Sequence, residues 1–229
     1  MPEAVIFDID GTLLDSVDYH AHAWQEAFQH FGYDIPFEKI RSQIGKGGDQ
    51  LLPVFLSPEQ LKQQGKALQE YRGSLFKKKY LLQVKPFPGV RELFQKIKAN
   101  GQKIALASSA KGDELKDFER IANIEDLVDI GTSSADAERS KPHPDIFEAA
   151  LDRLGGPSPD DVMVVGDSPH DAEAAGKAGL RTVGVLCGGF PEPDLRRAGC
   201  IAIFQGPEDL LRRYETSPLA KYSRVAHSA

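Results

Sequence analysis

The sequence predicts an α/β fold in which a doubly wound, Rossmann-like parallel sheet carries an inserted all-helical cap domain. The 229-residue chain is long enough for one large domain, or for a domain that carries a smaller one. Short runs rich in valine and isoleucine are apolar throughout, which is typical of parallel strands covered on both faces. From residue 86 to about 215 these runs alternate with helical stretches, as in doubly wound folds.

Five apolar runs are predicted to be strands of the sheet, and a sixth near the C-terminus is a further candidate. Two of them end in Ser108 and Asp167, which are residue types that favour turns. Four helical stretches lie between them, and the first of these ends at Gly101. The predicted strands are 4–9, 103–108, 127–132, 161–167, 181–186 and the candidate 200–205, and the helices are 89–101, 113–124, 144–155 and 168–179.

The first strand is followed by a long stretch in which no strand is predicted. Residues 15–85 contain several helical segments and end near the sequence KPFPG, whose proline and glycine residues favour turns. We expect this stretch to form a cap domain, inserted into a core domain made of residues 1–14 and 86–229. The polar tail after Tyr214 is expected to be loosely ordered.

The composition argues against several classes of function. A net charge of −6 does not favour general affinity for nucleic acid, so a phosphate group would need a local positive site. Cys187 and Cys200 lie far apart, without the neighbours of a zinc or redox motif. No secretory leader is recognised, and no apolar run approaches the roughly 20 residues of a membrane span. We therefore predict a cytoplasmic protein without nucleic-acid or membrane partners, either a monomer or a weak homodimer.

Polar residues follow the predicted strands at one edge of the sheet. In an open parallel sheet, ligands bind beyond the carboxyl ends of the strands, so residues at this edge are candidates for a functional site. Three strands and one loop contribute to it. The residues that they place there are Asp8, Asp10, Gly11 and Thr12; Ser108 and Ser109; Lys141; and Gly166, Asp167 and Asp171.

The residue types at this edge predict a phosphoryl-transfer site. Asp8, Asp10 and Asp167 would repel one another unless a cation lay among them. Oxygen ligands with room for water favour Mg²⁺, which commonly binds carboxylates together with a phosphate oxygen of the substrate. Ser108 and Lys141 add the hydroxyl and the positive charge that a phosphate needs on its other side. Taken alone, the first two aspartates could simply form a turn at the end of a strand.

Four separated motifs resemble those of the haloacid dehalogenase superfamily, in particular its phosphatase branch. They are DIDGT at 8–12, the serine that ends IALAS at 108, SKPHPDIF with Lys141, and VVGDSPHD with Asp167 and Asp171. The resemblance covers nearly the whole chain, because the helical stretch after the first motif matches the family's smaller helical cap. It implies a Mg²⁺-dependent phosphatase that acts on a small phosphorylated metabolite through an aspartyl-phosphate intermediate.

The resemblance also implies how the aspartates share the chemistry. Asp8 is expected to be the nucleophile that attacks phosphorus. Asp10 is expected to protonate the leaving alcohol and afterwards to activate water. Mg²⁺ would be bound by Asp8, by the backbone carbonyl of Asp10 and by Asp167.

Further roles follow for the residues around the phosphate. Ser108, Ser109 and Lys141 are expected to bind the phosphoryl group, and Lys141 also to offset the charge of Asp8. Asp171 is expected either to support Lys141 or a metal-bound water, or simply to cap its helix. Thr12 is expected to close the turn that follows the first strand.

The predicted cap offers a few candidate substrate contacts. His20 and Trp24 lie four residues apart on one face of the first cap helix. His20 is a candidate for the site or a surface residue, whereas Trp24 is expected to pack in the cap core. The glycine-rich stretch IGKGGDQL at 44–51 contains Lys46, a candidate substrate contact on a loop over the site.

The sequence also bears on three alternatives to hydrolysis. DSVDYHAHAW resembles the cap start of β-phosphoglucomutase-like members, and the glycine-rich loop resembles that of phosphoglycolate phosphatases. The mutases carry an arginine in this loop, whereas here the sequence is KGGD, so hydrolysis is favoured and a mutase is the alternative. A receiver-like phosphoacceptor is a non-enzymatic alternative, although such modules resemble a chain of about half this length. Asp10 argues against dehalogenation, whose enzymes lack an aspartate at this position.

Overall fold

The structure, a computed structural model, describes residues 1–220. Its strands are β1 (Ala4–Phe7), β2 (Leu14–Asp15), β3 (Lys85–Pro86), β4 (Lys103–Ala107), β5 (Ile130–Thr132), β6 (Val162–Gly166), β7 (Arg181–Val185) and β8 (Cys200–Phe204). Within these residues six strands form a parallel sheet in the order β5-β4-β1-β6-β7-β8. The predicted Rossmann-like α/β fold is confirmed, and the sixth candidate strand belongs to the sheet.

Helices cover both faces of this sheet. Along β1 the side chains alternate, because Val5 and Phe7 pack in one apolar cluster and Ala4 and Ile6 in another. None of the helices in the described residues combines the length and apolar character needed to cross a membrane. The α-helices are α1 (Val17–His30), α2 (Phe37–Arg41), α3 (Gly48–Phe55), α4 (Pro58–Gln60), α5 (Lys66–Leu75), α6 (Val90–Ala99), α7 (Gly112–Ala122), α8 (Asp145–Arg153), α9 (Pro169–Lys177), α10 (Glu192–Arg197) and α11 (Pro207–Arg212).

All six strands of the sheet are shorter than the sequence predicts, and β1 and β5 lose two and three residues at one end. β1 ends at Phe7, because the carbonyl of Ile9 accepts hydrogen bonds from the three N–H groups of residues 12–14 and the chain turns. β5 begins only at Ile130, because the N–H groups of residues 127 and 128 bond back to the carbonyl of Ile124 in a local turn. The prediction of strand at 8–9 and 127–129 was therefore wrong, although the N–H groups of Asp8 and Asp129 each still donate to a neighbouring strand.

The segment between β2 and β3 is helical, and we call residues 17–83 the helical insertion. β2 and β3 pair antiparallel, so the two connections to the sheet lie side by side. The insertion has an apolar cluster of its own, which includes Trp24 and Phe28. The predicted boundaries at 14/15 and 85/86 fall within this strand pair, and the division into core and cap domains stays a prediction.

The C-terminal segment packs against the sheet domain as far as it is described. Ser217 and Leu219 are buried, and the Gln102 side chain donates hydrogen bonds to the carbonyls of Pro2 and Leu219 at 2.9 and 3.1 Å. The expectation of loose order was wrong for residues 215–220, because Leu219 and Ala220 pack in the apolar cluster of the sheet and Ser217 bonds to the carbonyl of Tyr214. The rest of that tail, 221–229, lies outside the described residues.

The aromatic pair beneath β1 is expected to contribute strongly to stability. The rings of Phe7 and Phe94 lie 4.7 Å apart and both side chains are fully buried. Phe94→Ala should lower the free energy of unfolding by about 3–5 kcal/mol, because it removes apolar contacts and leaves a cavity. Denaturant unfolding measures the change, with Leu82→Ala as a control because Leu82 is 93% exposed. Equal stability of the two variants would contradict this account of the core.

Candidate active site

A buried lysine joins two of the predicted site aspartates. Asp8 follows β1 directly, and its N–H donates to the carbonyl of Val165 on β6. The Lys141 ammonium nitrogen lies 2.5 Å from Asp8 Oδ1 and 2.8 Å from Asp171 Oδ1, and it donates to the carbonyl of Ala107 at 3.0 Å. All three charged side chains are buried. The carboxyl ends of the central strands thus hold a compact network of charged groups.

Negative charge is in excess in this network. Burial, together with the nearby Asp171 carboxylate, raises the pKa of Asp8 to about 7 although Lys141 opposes the shift. Burial and the carboxylates of Asp171 and Asp8 also raise the pKa of Asp167 well above its usual value. Burial would lower the pKa of Lys141, but the carboxylates of Asp171 and Asp8 outweigh it and raise that pKa. One lysine therefore does not compensate three buried carboxylates.

The donor set at this point suits a hard divalent cation. Asp8, Asp167 and Asp171 each offer one carboxylate oxygen, and these three atoms lie within 4.8 Å of one another. A Cβ placed on Gly188 would lie 1.8 Å from Asp167 Oδ2, and one placed on Gly11 would lie 2.4 Å from it. Only glycine at these two positions leaves the Asp167 carboxylate undisturbed. The residues present fit Mg²⁺, with oxygen ligands and an excess of negative charge.

Thr12 takes a larger part in this site than the sequence predicts, which places it at the edge of the sheet but gives it only a role in the turn. Its hydroxyl lies 3.2 Å from Asp8 Oδ2 and 3.1 Å from Asp167 Oδ1, within hydrogen-bonding distance of both carboxylates. The side chain is fully buried. Thr12 was expected only to close the turn, and its place within the DIDGT motif was the one signal that could have assigned it to the site.

Asp10 faces different surroundings from Asp8, although it lies only two residues further on. Its Oδ1 accepts a hydrogen bond from the Ser16 hydroxyl at 2.6 Å and lies 2.8 Å from His20 Nε2. Burial would raise the pKa of Asp10, but the His20 ring and the hydrogen bonds from His20 and Ser16 lower it. The expectation that Asp10 binds metal concerns its backbone carbonyl and stays a prediction, since its carboxylate is outside the group of three.

His20 is part of the site and not a surface residue. Its ring is buried and stacks on Phe76 at 4.0 Å, and its Nδ1 is in contact with the Arg72 guanidinium. Arg72 in turn lies over the rings of Trp24 and Phe76, at 5.2 and 5.3 Å. The sequence offered no signal for Arg72, because it lies 52 residues from His20. Trp24 packs in the apolar cluster of the insertion, as predicted, and also lines the cavity beside the site.

A cavity of about 800 Å³ lies between part of the insertion and the edge of the sheet. Asp8 and Asp10 of the first motif line it. The remaining predicted contacts differ in their access to it. Lys46 lines the cavity but donates to Gln43 Oε1 at 2.6 Å, and Ser109 also lines it. Ser108 is buried, and its hydroxyl accepts a hydrogen bond from the Ala110 N–H at 3.1 Å. Asp171 caps α9 together with Ser168 and also binds Lys141, so both roles weighed for it are present.

Comparison with known proteins decides the family. A family model described as haloacid dehalogenase-like hydrolase matches residues 5–185. The chain belongs to the haloacid dehalogenase-like hydrolases. The predicted membership is confirmed, and the matched range includes all four motifs quoted above.

Relatives of this haloacid dehalogenase-like hydrolase include phosphatases of similar length. It is 29% identical over 213 residues to a phosphorylated carbohydrates phosphatase of Thermotoga maritima, which covers 91% of this chain and 96% of that protein. A phosphoglycolate phosphatase of Nitrosospira multiformis is 30% identical over 206 residues, covering 88% and 90% of the two chains. A crystal structure of a hydrolase from Pseudomonas syringae matches with a TM-score of 0.85 and 29% identity, covering 93% of this chain and 98% of that one. The chain is a phosphatase of this family, as predicted.

The Thr12 hydroxyl is expected to matter for metal affinity. Thr12→Val keeps the shape of the side chain but removes the donor shared by two candidate ligands, so their orientation loosens. We expect the Mg²⁺ concentration for half-maximal activity to rise about tenfold or more. A metal titration of phosphate release measures it, with the exposed Thr216→Val as the control. An unchanged Mg²⁺ midpoint would show that the hydroxyl does not orient the ligands.

Proposed function

We propose that this hydrolase is a Mg²⁺-dependent phosphatase that cleaves a small phosphorylated metabolite through an aspartyl-phosphate intermediate on Asp8. The observation that supports it best is the pairing of two aspartates in contrasting surroundings. Asp8 lies in the buried network with Lys141, whereas Asp10 lies against Ser16 and His20. One carboxylate is therefore placed to attack, and the other to transfer protons.

In the first step the Asp8 carboxylate attacks phosphorus and the bond to the ester oxygen breaks. Lys141 keeps the attacking carboxylate in place through its 2.5 Å contact and offsets charge on the phosphoryl oxygens. Ser108 and Ser109 follow β4 and would bind the same oxygens with their hydroxyl groups and with the Ser109 N–H, since the Ser108 N–H already donates to the carbonyl of Thr132. Asp8, Asp167 and the backbone carbonyl of Asp10 would hold Mg²⁺, which when bound supplies the positive charge that the excess of carboxylates requires.

Asp10 would carry the proton in both steps. The negative charge of a bound phosphate favours protonation of Asp10, which then donates the proton to the leaving oxygen. Once ionised, the carboxylate is stabilised by Ser16 and His20, whose contacts lower its pKa. That form accepts a proton from the water that hydrolyses the aspartyl phosphate. The same hydrogen bonds also hold Asp10 in one orientation between the two steps.

The helical insertion would act as a cap that selects the substrate. It contributes His20, Trp24 and Lys46 to the wall of the cavity. Closure of a cap over such a site excludes water from the first step. Because a relative is a phosphorylated carbohydrates phosphatase, a small phosphorylated carbohydrate is the first substrate to test. A cytoplasmic location and a monomeric or weakly dimeric state stay predictions of the sequence.

The cavity favours hydrolysis of a monophosphate over the mutase alternative. Four cations line it: Arg72 contacts His20, Lys46 bonds to Gln43, and Lys77 lies 3.8 Å from Asp117. The fourth, Lys111, is exposed. Beyond the aspartates of the first motif, six carboxylates line it, so a second phosphate would meet net negative charge. The six are Asp49, Glu70, Asp113, Glu114, Asp117 and Glu138.

Asp8→Asn should abolish turnover and leave the fold intact, because the amide is neither a nucleophile nor a charged ligand. Phosphate release from a panel of phosphomonoesters, with Mg²⁺ and with EDTA, tests the proposal. We expect metal-dependent release by the unaltered chain and by Asp15→Asn, whose aspartate is exposed on β2. Residual turnover above about a thousandth in Asp8→Asn would contradict the nucleophile assignment. Stoichiometric phosphorylation without turnover by the unaltered chain would favour a phosphoacceptor.

Substrates with one and two phosphates distinguish the phosphatase from the mutase. We expect kcat/KM for glucose 6-phosphate to exceed that for glucose 1,6-bisphosphate by about tenfold, because the second phosphate meets the acidic lining. The measurement is phosphate release, with nuclear magnetic resonance of the sugar products as a second readout. Conversion of β-glucose 1-phosphate to glucose 6-phosphate, faster than phosphate release, would establish the mutase instead.

A further inference from the structure

Two serines of the sheet domain connect Lys141 to the helical insertion. Ser140 precedes the lysine in the chain. Ser168 lies beside Asp167, and its hydroxyl is 2.6 Å from Oδ2 of Asp171. Asp171 Oδ1 in turn lies 2.8 Å from the Lys141 ammonium group. A displacement of Ser140 would therefore move Lys141 through the backbone. A displacement of Ser168 would move it through the Asp171 side chain.

A short glycine-rich segment of the insertion touches both serines, and we call residues 45–49 the glycine loop. A Cβ placed on Gly47 would lie 2.0 Å from Ser140 Oγ, and one placed on Gly45 would lie 2.8 Å from Ser168 Oγ. The Asp49 carboxylate accepts a hydrogen bond from the Ser140 N–H at 3.1 Å. The loop therefore contacts both segments that hold Lys141. Its backbone lies close to Ser168 and to Ser140, and Asp49 adds a hydrogen bond to Ser140.

Close approach explains the glycine at position 47. Its φ and ψ are −71° and 164°, an extended conformation that any residue can adopt. The position is buried, and the space beside it is filled by the Ser140 side chain. The requirement for glycine thus comes from contact between the insertion and the sheet domain, and not from the backbone of the loop itself.

We propose that the glycine loop is a positioning element, which holds Lys141 against Asp8 by docking on Ser140 and Ser168. The proposal rests on the proposed function, because it gives the loop a role in the same phosphoryl site. In this role the loop acts in both chemical steps and independently of the leaving group. A loop that only contacted the leaving group would affect each ester differently.

The first test introduces a steric clash at Gly47 and then removes it with a second substitution at Ser140. Gly47→Ala should lower kcat/KM by about tenfold to a hundredfold, because displacement of Lys141 by a fraction of an ångström misplaces its charge. The loss should be equal for p-nitrophenyl phosphate and glucose 6-phosphate, whose leaving groups differ. Ser140→Gly removes the two nearest atoms that the new methyl group meets, and the third, Asp49 Oδ1 at 2.8 Å, belongs to an exposed side chain that can turn away. Gly47→Ala/Ser140→Gly should therefore recover to within about threefold of Ser140→Gly alone. Gly176→Ala is the control, since its helical position is open to solvent.

Asp49 provides a second test that does not depend on packing. Asp49→Ala removes the acceptor for the Ser140 N–H and should lower kcat/KM for both esters about threefold, whereas Asp49→Asn keeps an acceptor oxygen and should retain activity. Asp49 is exposed, so neither variant threatens the fold. Thermal unfolding confirms that each variant is folded.

Binding of orthovanadate, a phosphate mimic, separates this inference from the proposed function. Calorimetry in Mg²⁺ should show about tenfold weaker vanadate binding in Gly47→Ala and recovery in the double variant. If the unaltered chain released phosphate from no ester, the proposed function would fail, while vanadate binding would still report the position of Lys141. Loss confined to one ester, no loss in Gly47→Ala, or a folded double variant without recovery would each overturn the positioning role.

Discussion

A lysine ammonium buried between two carboxylates is the interaction on which the rest of the site depends. Lys141 is 1% exposed and contacts Asp8 and Asp171, which come from opposite ends of the chain. Removing the Lys141 ammonium group would leave the buried carboxylates without a compensating charge, which costs far more than the loss of a surface ion pair. The end of β1, the loop before α8 and the start of α9 are therefore held in one fixed arrangement.

The same network is poorly balanced by itself, and this imbalance is what a phosphatase can use. Asp8, Asp167 and Asp171 bring three carboxylates together against one lysine, so the pKa values of the first two are raised. A divalent cation would restore the balance of charge, because its two positive charges and that of Lys141 match the three carboxylates. The excess of negative charge thus lowers stability and at the same time favours binding of a cation.

The helical insertion completes the site in two ways. It places His20 beside the Asp10 carboxylate, which also accepts a hydrogen bond from Ser16, so that two aspartates separated by one residue occupy different electrostatic surroundings. It also rests on the segments that hold Lys141, where Gly47 meets Ser140. A site assembled from both parts of the chain is complete only when the insertion lies against the sheet, which couples substrate enclosure to the arrangement of charge.

The sequence by itself determined the parallel sheet and the residues at its edge, because apolar runs mark strands and parallel strands end at the same side. Asp8, Lys141 and Asp167 could be predicted on that ground. Thr12, Arg72 and the contact of Gly47 with Ser140 were decided only by the tertiary structure. Each of them depends on distances between residues far apart in the chain, or on which way a side chain turns. The local sequence pattern contains no information about such distances or about side-chain orientation. The tertiary structure alone therefore shows how the insertion and the sheet share one site.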